Sequence, residues 1–139
     1  LSLYENQITE ITGLDKLTNL QKLRLSKNQI TEMAGLNKLI KLQELWLGGN
    51  QITKITGLDN LINLKWLVVN NNKITEIIGL DGLTNLRWLI MNNNEITEIS
   101  GLDNLLKLYE IRLNNNLIDK TLNKDEIEKL EFRVRNVFI

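Results

Sequence analysis

The chain carries 17 Lys+Arg against 17 Asp+Glu in 139 residues, which is room for one domain with no net charge. Neutrality argues against nucleic acid as a partner, because phosphate chains are held by an excess of cations. The absence of Cys and His excludes disulfides, thiol chemistry and thiolate or imidazole metal sites, and it removes the commonest general base, so no catalysis, cofactor or metal is expected. In chain order, the first predicted element is a strand already under way at Leu1 and Leu3. Nothing precedes it to cover its leucines, so this edge reads as cut, or as open to self-association. No apolar run approaches the ~20 residues of a membrane span and no leader opens the chain. The compartment is left open between the cytoplasm and a bacterial surface.

From the first strand onward the chain repeats. Asn6, Asn28, Asn50, Asn72, Asn94 and Asn116 stand 22 residues apart, within a recurring L-x-x-L-x-L-x-x-N-x-I-x-x-I-x-G-L-x-x-L pattern. Leu23 and Leu25 alternate with Lys22, Arg24 and Ser26, as in a strand with one buried face. One short strand per turn predicts a parallel stack, each turn burying leucines against its neighbours. Each Asn follows its strand where the chain bends, and its amide can satisfy backbone donors and acceptors there, so the asparagines predict a buried ladder. Gly13, Gly35, Gly57, Gly79 and Gly101 share one column on the returning segment, which suggests a φ that a Cβ would resist.

After Ile118 the period changes. Ile127, Leu130 and Val134 fall on one helical face, and Asn123 followed by Glu126 resembles a capping box. The expectation is a repeat domain over residues 1–122 and a cap over 123–139, with a helix near 123–134 and a short strand near 137–139. A shortened seventh turn with Leu130 and Phe132 in a strand is the rival.

These motifs identify the chain as resembling the leucine-rich repeat, in the 22-residue class found in bacterial internalins and in a regulatory subunit of protein phosphatase 1. The resemblance implies a right-handed α/β solenoid with a parallel sheet on its concave face, short 3₁₀ or extended segments behind, and a helical C-terminal cap. Two departures are visible: Gly stands where internalin repeats often have Pro, and cystine-linked caps are impossible.

With the leucines inward, the other strand positions face out. One outward column runs Lys22, Glu44, Trp66, Trp88, Glu110; the next runs Ser2, Arg24, Trp46, Val68, Ile90, Arg112. All three tryptophans therefore share one patch with Val68 and Ile90, framed by Arg24, Glu44, Glu110 and Arg112, with Gly48 and Gly49 leaving space beside Trp46. Rigid aromatics ringed by charge are the composition of binding hot spots, and an exposed apolar cluster asks for a partner. The patch is expected to bind a protein or peptide, and Trp66→Ala to weaken binding by ~2 kcal/mol with stability almost unchanged. Carbohydrate or small-ligand binding on the same patch is the alternative, favoured by a walled cavity near Trp46. A third reading is the recognition part of a larger enzyme. The first two residues of Asn70–Asn72, Asn92–Asn94 and Asn114–Asn116 read as turn formers that tolerate left-handed backbone. The column Asp15, Asp59, Asp81 and Asp103 lacks the dense ligand set of a calcium site.

Overall fold

The computed structural model describes residues 1–139. Its strands are β1 (Lys22–Arg24), β2 (Glu44–Trp46), β3 (Trp66–Val68), β4 (Trp88–Ile90), β5 (Glu110–Arg112) and β6 (Asn136–Phe138), with one helix, α1 (Lys124–Arg133), before the last strand. They form a single six-stranded sheet in chain order, every pair parallel. The first turn adds only a bridge between Ser2 and Arg24. The constant spacing leaves one register: Leu23 faces Leu45, then Leu67, Leu89, Ile111 and Val137. A slip by one residue would turn every leucine to the other face.

Behind the sheet each coil returns through tight turns. Leu39 N donates to Leu36 O and Leu42 N to Leu39 O, a pattern repeated one turn later at Leu58, Leu61 and Leu64. Such three-residue steps present a leucine inward each time without a full helix. The result is one core of 34 buried apolar residues running the length of the solenoid.

The only polar side chains in this interior are asparagines: Asn28, Asn50, Asn72, Asn94 and Asn123. Asn72 shows how the first four work. Its Oδ1 accepts from Ile52 N in the preceding turn, and its Nδ2 donates to Leu47 O there and to Val69 O in its own turn. Asn50 and Asn94 repeat the arrangement one turn to either side. Each strand-end carbonyl thus receives two amides, so the predicted ladder is continuous.

At the C-terminus Leu130 and Val134 are buried and Ile127 packs against the core. Arg133 latches the helix to the last full turn by donating to Leu102 O and Leu105 O. The capping box is not there. Asn123 makes no side-chain cap bond; its Oδ1 accepts from Ile99 N, and its Nδ2 donates to Thr97 O and Asp119 O. The local cap is Asp119, whose carboxylate accepts from Thr121 N and Leu122 N. Buried backbone groups of the last full turn outcompete a half-exposed helix end, because an unpaired buried donor costs more than a solvated one.

Candidate functional site

Strand register brings the outward residues together. Trp66 lies opposite Trp88, and Trp46 opposite Val68, which lies opposite Ile90. None of the three indoles belongs to the core. They do not stand apart as separate anchors. Trp46 and Trp66 stack with centroids 6.4 Å apart and planes 11° apart, and Trp66 and Trp88 with 4.0 Å and 16°. Tyr109 tilts against Trp88 at 6.2 Å. Cations close both ends: Arg24 lies 5.5 Å from the Trp46 centroid and Arg135 5.7 Å from that of Tyr109. The column therefore runs from Arg24 in β1 to Arg135 just before β6, with Trp66 and Trp88 face to face, Trp46 offset from Trp66, and Tyr109 tilted against Trp88.

Two expectations change as a result. Val68, flanked in register by Trp46 and Ile90, is only 7 % exposed, so it supports the stack and offers a partner little surface. Trp66→Ala removes two ring pairs, each contributing about 0.5–1.5 kcal/mol beyond burial. A stability loss of about 1–3 kcal/mol in urea titration is expected, smaller for Trp66→Phe, rather than almost none.

The framing charges pair off. Lys22 Nζ lies 2.6 Å from Glu44 and Arg112 Nε 2.7 Å from Glu110; Arg112 also lies 5.1 Å from the centroid of the Phe138 ring. Both pairs are solvent-washed and contribute ~0–1 kcal/mol. Arg24 has no carboxylate partner among the ion pairs formed. Trp46 Nε1–H is shut away without an acceptor.

A third outward column completes the face, and only its Gly48 was read as part of the site: Tyr4, Ser26, Gly48, Asn70, Asn92 and Asn114, two residues beyond the second column. Period-two alternation extended past the strand would have found it. Beside it, Glu5, Lys27, Gly49, Asn71, Asn93 and Asn115 all adopt positive φ. Only the second Asn of each triplet is left-handed, and these amides form a surface ladder: Asn115 Nδ2 donates to Asn93 Oδ1 at 2.8 Å, and Asn93 Nδ2 to Asn71 Oδ1 at 2.9 Å. Where the third turn has Gly48 and Gly49, a hollow of about 410 Å³ opens between Trp46, Lys27 and Asn71. A second of about 300 Å³ adjoins it, lined by Tyr4, Arg24, Ser26 and Trp46. Tyr4 first, then Glu5, hold the Lys27 ammonium above its usual pKa.

A model for leucine rich repeats (two copies) matches residues 1–38 and 18–60. Among solved structures, the chain is similar to an internalin (InlF) of Listeria monocytogenes, at 35% identity and TM-score 0.86 over 99% of this chain and 41% of that one. It is also similar to the functional domain of InlJ from Listeria monocytogenes, which includes a cysteine ladder (27%, 0.76, 99% and 29%). A leucine-rich-repeat protein of Leptospira interrogans matches at 28% and 0.76, over 99% and 42%. The chain thus spans less than half the length of each of these proteins. No curated protein matches it.

Proposed function

Because the chain is a leucine-rich-repeat solenoid whose repeats resemble those of internalins, we propose that it is a protein- or peptide-binding module that takes its partner on the concave, outward face of the sheet. The observation that carries this is the aromatic column: Trp46, Trp66 and Trp88 lie outside the core on adjacent strands, although the interior has many apolar positions. A stacked column is stiff, so its side chains lose little entropy on binding. Ile90 and the column edges would form the apolar centre. The pairs Lys22–Glu44 and Arg112–Glu110, with Arg24, would form the polar rim and set register.

A sugar-binding reading is weaker on this geometry. Saccharides stack on open ring faces, and here Trp88 covers one face of Trp66 and Arg24 lies over Trp46, while the hollow beside Trp46 is open to solvent and not walled. No helix is long and apolar enough to cross a membrane.

The test is selection of a random peptide library, displayed through its C-terminus on phage, against the immobilised protein. Ile90→Glu puts a charge in the apolar centre beside Arg112 while leaving the stack and core intact. Enriched peptides are expected to bind the parent chain, and to lose about tenfold or more in affinity on Ile90→Glu or Trp66→Ala. Failure to enrich any sequence, or equal binding to Ile90→Glu, would sink the reading.

A further inference from the structure

We propose that the hollow over Gly48 and Gly49 is a socket for the carboxylate side chain of an acidic residue in the bound peptide; this rests on the peptide-binding reading above. The fourth, fifth and sixth turns fill the two columns beyond the strand with Asn70–Asn71, Asn92–Asn93 and Asn114–Asn115, whereas the third has Gly48, covered by the Asn70 side chain, and Gly49, which is open. The gap interrupts the surface amide ladder at a chemically defined point. Donation runs from Asn115 to Asn93 to Asn71. The next acceptor in that series would be a side chain at position 49, and Gly49 has none. Asn71 Nδ2 therefore ends the ladder as a donor without an acceptor, at the wall of the hollow.

Two cations stand near the gap. Lys27 lines the hollow, and its nearest carboxylate, on Glu5, is 3.8 Å away, too far for a good charge-assisted hydrogen bond. Arg24 lines the adjoining hollow, which shares Tyr4, Ser26 and Trp46 with the first, and it has no ion-pair partner. Trp46 lines both hollows, with its indole N–H buried away from them. Two cations and the unpaired Asn71 amide donor border a space large enough for a side chain. A carboxylate accepts from several donors at once and neutralises the cations. A basic side chain would meet like charge, and an apolar one would leave the donors dry.

Gly49→Asn isolates the socket. Gly49 has φ +70°, and Asn71, Asn93 and Asn115 already adopt 54–58° in the same column. A Cβ at position 49 meets nothing closer than Lys27 Cγ at 3.5 Å. The new amide extends the ladder by accepting from Asn71, and narrows the hollow. Peptides selected as above carry no free C-terminal carboxylate, so any acid they contribute is Asp or Glu.

The expected result is that enriched sequences share an Asp or Glu. Replacing it by Asn or Gln in the synthetic peptide, or making Gly49→Asn in the protein, should each weaken binding tenfold or more by fluorescence polarisation, with a melting temperature at or above the parent's for the variant. Lys27→Ala, at an exposed position, gives an independent second variant with the same expected direction. Enriched peptides without an acid, or with one whose affinity ignores both variants, overturn the socket while leaving the peptide-binding face standing if Ile90→Glu still abolishes binding. An acidic saccharide that binds while no peptide does overturns both.

Discussion

Asn72→Leu is expected to destabilise the chain by about 3–5 kcal/mol, although the two side chains are close in size and the replacement is the more apolar. Ile52 N loses its only hydrogen-bond acceptor, and an unpaired buried donor costs about 1–3 kcal/mol. The carbonyls of Leu47 and Val69 each fall from two amide donors to one, keeping Asn50 and Asn94 respectively. Each lost bond adds about 1 kcal/mol. Because neighbouring turns depend on one another, damage in the third and fourth turns is also expected to uncouple the two ends of the solenoid. Urea denaturation read by circular dichroism should show a lower midpoint and a broader transition, with amide exchange rising first around Ile52.

The surface ladder provides the contrast. Asn93→Gly removes two side-chain hydrogen bonds but keeps a residue suited to φ 56°. Both bonds are exposed, and water replaces the partners, so a loss below about 1 kcal/mol is expected. If Asn72→Leu costs no more than Asn93→Gly, the buried ladder is not what fastens turn to turn.

The two ladders also show what the sequence can and cannot carry. An Asn every 22 residues, placed just after an alternating leucine pair, has one physical reading: a polar group needed wherever an apolar coil bends. The stack, its register and the outward position of Trp46, Trp66 and Trp88 all follow from that period. What did not follow is how the indoles lie. Adjacency on neighbouring strands is readable, but whether rings meet face to face or stand apart is decided by side-chain torsions and by Arg24 and Tyr109 closing the ends. Burial of Val68 is a consequence of the same packing. Asn123 failed for a related reason. The Asn-to-Glu spacing is a local signal, and the claim on its amide comes from Ile99 and Thr97, more than twenty residues away. The hollow was half visible: Gly48 and Gly49 announce space, yet the ladder polarity that makes it donor-rich depends on how Asn71 and Asn93 are oriented.

Gly79→Ala is expected to cost about 3 kcal/mol, and Gly49→Ala about 1 kcal/mol, although one methyl is added in each case. The two glycines share the left-handed region, with φ +71° and +70°, and that conformation costs an alanine roughly 1–2 kcal/mol in either place. Their surroundings differ. A Cβ on Gly79 would come within 2.6 Å of the Ile55 carbonyl oxygen in the preceding turn, whereas on Gly49 the nearest atom lies at 3.5 Å. The Ile55 oxygen belongs to backbone, and relieving the contact means moving one coil away from the next, which overpacked interiors resist at about 1–3 kcal/mol. Subtracting the two losses measured in urea therefore isolates the close approach of consecutive coils from backbone strain. A difference near zero would mean the coils have slack at the glycine column, and that left-handed geometry alone accounts for Gly at this position in successive turns.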